Sequence, residues 1–321
     1  MKKRSYKILV LFFINIALIS CSEEEILYQA VDYVFVGDYT TGLEGPAVDL
    51  NGNLYFVNPL HSGSIGKIDT NGNFSLFIDH LPNGSTANGI RFGKNEKMFL
   101  ADYTGHNVLT IDLRTKQISI YAHDSLLNQP NDLAICCDDR LFASDPSWKN
   151  STGNIWKVES GKFHLLSENI GTTNGIEVSP DEKTLYVNES VQRNVWAFDL
   201  DSIGNISNKR LFYKFEDFGM DGMRCDRDGN LYITRYGKGT VVKLSNEGKV
   251  LKEIIMKGKK PSNIAFGGKD GKTAFVTLQD RGYIESFRVE TAGRSFASSI
   301  LRTPTVLALL YSVHGGLAQI T

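Results

Sequence analysis

Cysteine, net charge and long apolar runs are all scarce in this chain, and each scarcity closes off an explanation. There are 4 cysteines in 321 residues, Cys21, Cys136, Cys137 and Cys225. None stands in a C-x-x-C or Cys/His spacing, which removes a zinc site built on them. Cys136 and Cys137 are neighbours on an expected strand, so their side chains face opposite sides; small buried fillers are the reading they support over a ligand or redox pair. The formal net charge is -1 and the pI about 6.6. That balance offers no broad attraction to nucleic acid or anionic lipid, and nucleic acid is set aside as a partner. No Gly-x-Ser-x-Gly turn occurs, which disfavours a serine nucleophile on such an elbow.

What the chain does have is a repeat. Thr173 to Ser190 (TNGIEVSPDEKTLYVNES) reads as a polar residue, a short apolar strand, a Ser-Pro-Asp-Glu-Lys turn and a second β-branched and aromatic strand. The same sentence begins at Glu44, Asn88, Asn131, Asp221 and Asn263. With Asn174 these six leading residues are spaced by 44, 43, 43, 47 and 42 residues. A period this regular, built of strand and turn, predicts an all-β six-bladed β-propeller with four-stranded blades over residues 31–296. Hydrophobic content of 41% and aromatic content of 11% suffice to pack it. Third strands align across the copies, from Ser64–Asp69 and Asn107–Asp112 to Tyr283–Val289. Val31–Val36 precedes the first full repeat and is expected to complete the last blade, closing the ring.

The two ends are of different material. Lys2, Lys3, Arg4 and Lys7 precede an apolar stretch from Ile8 to Ile19, too short for a comfortable membrane span, and residues 1–20 are read as an export signal. Leu18-Ile19-Ser20-Cys21 resembles a bacterial lipobox, which makes Cys21 a candidate for lipidation, with residues 21–30 as an acidic tether. An ordinary cleaved signal with an incidental cysteine is the alternative. Anchorage in the cell envelope follows, at the outer membrane, with the periplasmic and surface faces both open. Residues 297–321 fit no repeat, and their apolar run is interrupted by Pro304.

In a propeller the first strand of each blade lines the axis, so the residues just before it gather at one mouth of the channel. Here those are Glu44, Asn88, Asn131, Asn174, Asp221 and Asn263. The ends of the second strands, Asn58, Asp102, Asp145, Glu189, Arg235 and Gln279, are expected as an outer ring. Two carboxylates and several amides around an axis suit a hard cation, calcium above all, in a central metal-binding channel. Asn and Asp before strands are also common turn residues that satisfy their own backbone. Glu in Glu44-Gly-Pro is poor turn chemistry and favours a ligand; at Asn88 the two readings balance, and at Asn263 the turn is favoured. His61 and His106 follow second strands near the mouth, where solvated loop positions explain both.

The motifs Glu44-Gly-Pro, Pro130-Asn131-Asp132, Thr173-Asn174-Gly-Ile, Met220-Asp221-Gly-Met with Asp228-Gly-Asn-Leu-Tyr, and Ala265-Phe-Gly-Gly resemble the senescence marker protein, gluconolactonase and luciferin-regenerating enzyme family, from about Gly42 to Phe296. The resemblance implies a divalent metal, usually calcium, held by Glu44, Asn174 and Asp221, with Asp221 also the general base. It places Asn131 and Asn88 near substrate, and Arg235, in Arg235-Tyr-Gly-Lys-Gly, on the outer ring as a substrate contact. Gln129 stands where some members carry an arginine, so recognition of a polyhydroxy substrate differs there. The implied activity is hydrolysis of sugar-derived lactones by a monomer. An organophosphate or other ester hydrolase on the same metal, or a sugar-binding lipoprotein without chemistry, are the alternatives.

Overall fold

The computed structural model describes residues 26–39 and 42–296. The export signal, Cys21 and the tail 297–321 lie outside the described residues. Six sheets of four antiparallel strands stand in a ring. The innermost strands are Glu44–Val48, Ala87–Phe92, Leu133–Ile135, Thr173–Val178, Met223–Cys225 and Pro261–Gly267, in blades I to VI. Each touches the innermost strand of the next blade, and that of blade VI touches that of blade I, so the ring closes. Val31–Phe35 pairs antiparallel with Tyr283–Arg288 as the outermost strand of blade VI, the closure expected from the sequence. Residues 26–30, expected as tether, are partly docked: the Tyr28 N–H donates to the Arg288 carbonyl at 2.9 Å, and Tyr28 and Ala30 pack on the core of blade VI. No helix among the described residues is long and apolar enough to cross a membrane.

Alternation along the strands makes the core. In Lys97–Asp102, Met98 and Leu100 face blade I and pack with Tyr55, Val57 and Ile90, whereas Phe99 and Ala101 face blade III and pack with Leu133 and Leu141. Every blade is thus glued to both neighbours by one strand's two faces. Cys136 and Cys225 are buried in this packing, while Cys137 faces outward, where its N–H donates to Glu182 at 2.7 Å. Burial pushes the Cys136 thiol up to about 12, as an inert filler requires.

A five-residue turn, Asp-x-x-Gly-Asn, joins strands at Asp49, Asp69, Asp201 and Asp226. In each, the Asp Oδ1 accepts backbone N–H groups two and four residues on, and the Asn side chain donates to Oδ2. The fourth residue has φ between 83° and 85°, where glycine alone is unstrained. Leu100 is fully buried between blades I and II. Leu100→Ala should cost about 2–5 kcal/mol, from lost burial and the cavity left behind. Guanidinium unfolding of wild type and variant checks it.

Candidate metal centre

The same irregularity opens the innermost strands. Pairing slips by one residue between Glu44 and Ala47, between Ala87 and Ile90, between Thr173 and Ile176 and between Pro261 and Asn263. In blades III and V the backbone N–H groups of Asn131 and Asp221 donate to Ser144 and Thr234, ahead of the regular ladder. A bulge turns one side chain out of its alternation. Here it accompanies the turning of the leading residues of blades I to V toward the cavity. Glu44, Asn88, Asn131, Asn174 and Asp221 line a cavity of about 590 Å³ at the mouth, together with Asn58, Tyr103, Trp148, Tyr236 and Gln279.

Crowding at the axis explains the glycine that follows four of these residues. A Cβ on Gly175 would collide with the Asp221 carbonyl, and one on Gly222 with the Asn263 side chain. Gly45 and Gly89 meet backbone of the next blade in the same way. The repeated x-Gly is therefore a packing requirement, and it lets neighbouring leading residues approach within bonding distance. Asn263 is not on the wall; it lies buried behind it, accepting from its neighbour Ile264 N–H at 2.9 Å and hydrogen-bonding Glu44. Asn263 lies within the strand Pro261–Gly267, not in a turn as expected, and its role is to support Glu44 from behind the wall.

Glu44 accepts the Gly45 N–H at 2.8 Å, and its carboxyl hydrogen-bonds Asp221. Asn174 also hydrogen-bonds Asp221, while its amide nitrogen donates to Ser190 Oγ at 3.1 Å. The Ser190 hydroxyl is itself committed as donor to the Met220 carbonyl, so the amide is held nitrogen to serine. Burial, reinforced by the Asp132 carboxylate, pushes Glu44 up to about 8. Burial, then the Glu44 charge, raises Asp221 well above the ordinary carboxylate range, although part of its surface opens to the cavity. Two acids this close cannot both ionise without a counter-charge. The Asn131 Oδ1 is buried with no hydrogen-bond partner among the described residues. Two carboxylates, a fixed amide and an orphaned amide oxygen facing one cavity form an all-oxygen donor set that fits calcium and not a thiolate- or imidazole-seeking metal.

The basic side chains of the channel are spent one layer below. Asp132 is flanked by Arg91 at 3.2 Å and Arg224 at 3.0 Å, and Glu177 by Arg294 at 3.3 Å and Arg224 at 3.9 Å. Burial opposes ionisation of Asp132, but the two guanidinium groups outweigh it and hold its carboxyl below the usual range. Arg294, from beyond the last blade, donates to the Ile135 and Ser179 carbonyls and caps the far end. Sequence reading overlooked this layer. Its signal was present: Arg91, Glu177 and Arg224 each lie three residues after a leading residue, the next position to face the channel once the bulge is counted.

The outer ring is not a second set of ligands. Asn58 donates to the Gly42 and Ala87 carbonyls and accepts from Gly63. Asp145 accepts the Gln129 N–H, and Glu189 the Gly171 N–H. Asp102 accepts from Ser85, Gly105 and Asn107. These groups clamp the loops that deliver the innermost strands. Arg235 is 1% exposed and off the wall: its guanidinium bonds Asp217 and the Gly219 carbonyl and lies over the Phe215 ring at 3.7 Å. Gln129 lines an adjoining pocket instead of the centre. Neither His61 nor His106 lines the cavity. His106 bonds the Leu127 carbonyl, and His61 sits at the rim with Asp79 and His80, their ligand atoms within 4.8 Å of one another.

Carboxyls raised in the folded state stabilise it fully below their unfolded values and lose that contribution as pH climbs through the folded ones. For Glu44 that window runs from its ordinary 4.5 to about 8. With divalent cations chelated, the thermal midpoint of the wild type should therefore fall relative to that of Glu44→Gln between about pH 5 and about pH 9, by about 5 °C. Added calcium should reverse the gap. Scanning calorimetry of both proteins with chelator and with calcium checks this.

Residues 41–280 match the family described as SMP-30/Gluconolactonase/LRE-like region. A gluconolactonase of Zymomonas mobilis is 27% identical over 270 residues, covering 73% of this chain and 75% of that protein. Regucalcin of Sus scrofa is 37% identical over 171 residues, 50% of this chain and 57% of that protein, so the chain spans little more than half of that regucalcin. Among solved structures, a calcium-binding protein, regucalcin, from Agrobacterium tumefaciens has a TM-score of 0.69 at 22% identity, covering 78% of this chain and 91% of that one. That likeness speaks to the fold. With six blades around one axis and a family match over most of its length, the chain belongs to the SMP-30/gluconolactonase/LRE-like family.

Proposed function

We propose that this protein is a calcium-dependent hydrolase of sugar-derived lactones. The observation that carries the reading is the hydrogen-bonded Glu44–Asn174–Asp221 group at the cavity wall, with Asn131 Oδ1 beside it unpartnered among the described residues. Membership of a family that includes a gluconolactonase supports the reaction class. A divalent cation held by Glu44, Asn174 and Asp221 would offset their repulsion, keep Asp221 ionised and polarise a carbonyl oxygen.

The chain's own residues do the rest. Asp221 accepts a proton from water as the water oxygen adds to the lactone carbonyl carbon. The ring C–O bond then breaks, and the departing ring oxygen takes that proton as a hydroxyl. Asn88 and Asn131 line the same wall and would hold hydroxyl groups of the substrate. The product is a hydroxy acid, which ionises and releases one proton per turnover. We also propose that the enzyme works outside the cytoplasm, anchored in the cell envelope through Cys21. The Lys/Arg-rich start, the short apolar stretch and the lipobox-like Leu18–Cys21 support that placement.

Proton release by purified full-length protein on aldonolactones, followed by pH-stat and corrected for spontaneous hydrolysis, should depend on calcium and stop with chelator. Asp221→Asn should lower turnover by about 10²-fold or more. Full activity in that variant would remove Asp221 as the base. No release on any lactone with calcium bound would remove the lactonase reading in favour of another ester or of sugar binding alone.

A further inference from the structure

The wall of the central cavity nearest blades II and III is shared. Tyr103 and Trp148 line the cavity of about 590 Å³ and also a second pocket of about 510 Å³, whose other walls are Asn128, Gln129, Pro146, Ser147 and Lys149. The two spaces adjoin across this aromatic pair. The central one by itself already lies in the range, about 300–1,000 Å³, that takes a drug-sized ligand. A single six-carbon lactone leaves much of it empty.

The turn that carries Trp148 is held in place. It opens a single 3-10 turn, Trp148–Asn150, directly after the strand Leu141–Ser147. The Ser151 N–H donates to the Trp148 carbonyl at 3.2 Å, Asn150 Nδ2 to Ser147 Oγ at 3.1 Å, and Gln192 of blade IV to the Ser151 carbonyl at 2.8 Å. Yet the residue is 39% exposed. An exposed indole on a braced turn presents a broad apolar face with few rotatable bonds to order, as aromatic platforms do for sugar rings.

The polar groups beyond it are likewise fixed. Gln129 receives its backbone position from Asp145 at 2.6 Å, and its side chain hydrogen-bonds the Tyr103 hydroxyl. Asn128 donates to Asp145 at 3.2 Å, so its amide oxygen is left to accept. Among the described residues, Lys149 is the one charged residue on this pocket's wall, which disfavours a basic ligand.

We propose that this pocket is a glycosyl subsite: a second sugar unit stacks on Trp148 and bonds Asn128 and Gln129 while the lactone ring occupies the cavity beside Asp221. The preferred substrate is then a lactone bearing a neutral or acidic glycosyl substituent, of disaccharide size. This refinement rests on the lactonase reading for the reaction and on the two adjoining pockets for the size.

The test compares kcat/KM on cellobionolactone and gluconolactone for the full-length wild type, Trp148→Ala and Trp148→Phe. It also follows tryptophan fluorescence of the wild type on titration with cellobionate and with gluconate. The wild type should prefer the disaccharide lactone by tenfold or more. Trp148→Ala should lose most of that ratio, Trp148→Phe should keep most of it, and cellobionate should perturb the fluorescence at far lower concentration than gluconate. Equal kcat/KM on both lactones with no selective fluorescence change overturns the subsite and leaves the lactonase standing. A selective response to cellobionate without hydrolysis of either lactone supports the subsite and overturns the lactonase.

Discussion

Six innermost strands have to meet around one axis, and the space there admits almost nothing beyond backbone. That constraint shapes both the fold and the site. It demands glycine at Gly45, Gly89, Gly175 and Gly222, because a Cβ at each would strike the next blade. It also brings the leading residues Glu44, Asn174 and Asp221 within hydrogen-bonding distance, so Glu44 reaches Asp221 although 177 positions separate them. Closure of the ring and assembly of the site are one event. A chain that failed to pair Val31–Phe35 with blade VI would leave the strands of that blade, and Asn263 behind Glu44, without their frame.

Charge is apportioned by depth along the channel. At the floor, Arg91, Arg224 and Arg294 stand beside Asp132 and Glu177, a compensated network closed by a residue from outside the blades. At the mouth, Glu44 and Asp221 share a pocket with no basic side chain among the described lining residues, and burial pushes both carboxyls above the ordinary range. Buried charge is tolerated only where it is paired. The arginines cannot serve both layers, since their guanidinium groups already face the lower one. The upper layer is therefore left poised for a cation from solution, which is the physical core of the proposed activity.

The outer ring shows how a propeller separates holding from acting. Asn58, Asp102, Asp145, Glu189 and Arg235 occupy equivalent places at the ends of second strands, yet all are saturated by loop backbone or by neighbouring side chains. They fix the loops from which the innermost strands start, and so fix the leading residues to within a hydrogen bond. Acidic and basic residues substitute for one another in this ring because a loop offers both N–H donors and carbonyl acceptors. Trp148, by contrast, is exposed on a braced turn, the combination expected of a contact surface.

The sequence by itself determined the architecture, since strand, turn and period are local properties: alternation every second residue, Asp-x-x-Gly-Asn turns and leading residues at near-equal intervals. It also singled out Glu44, Asn131, Asn174 and Asp221, because equivalent positions in equivalent repeats must converge on an axis. The tertiary structure alone decided where the other polar residues point. Arg235 and Gln129 each lie within a few residues of the mouth in sequence, but one is drawn to Asp217 and Phe215 and the other to Asp145 and Tyr103. The arginine floor and the aromatic wall between two pockets were beyond sequence reading for the same reason. Side-chain direction at a loop or a bulge is set by what the adjoining blade offers, and that neighbour is about forty residues away in the chain.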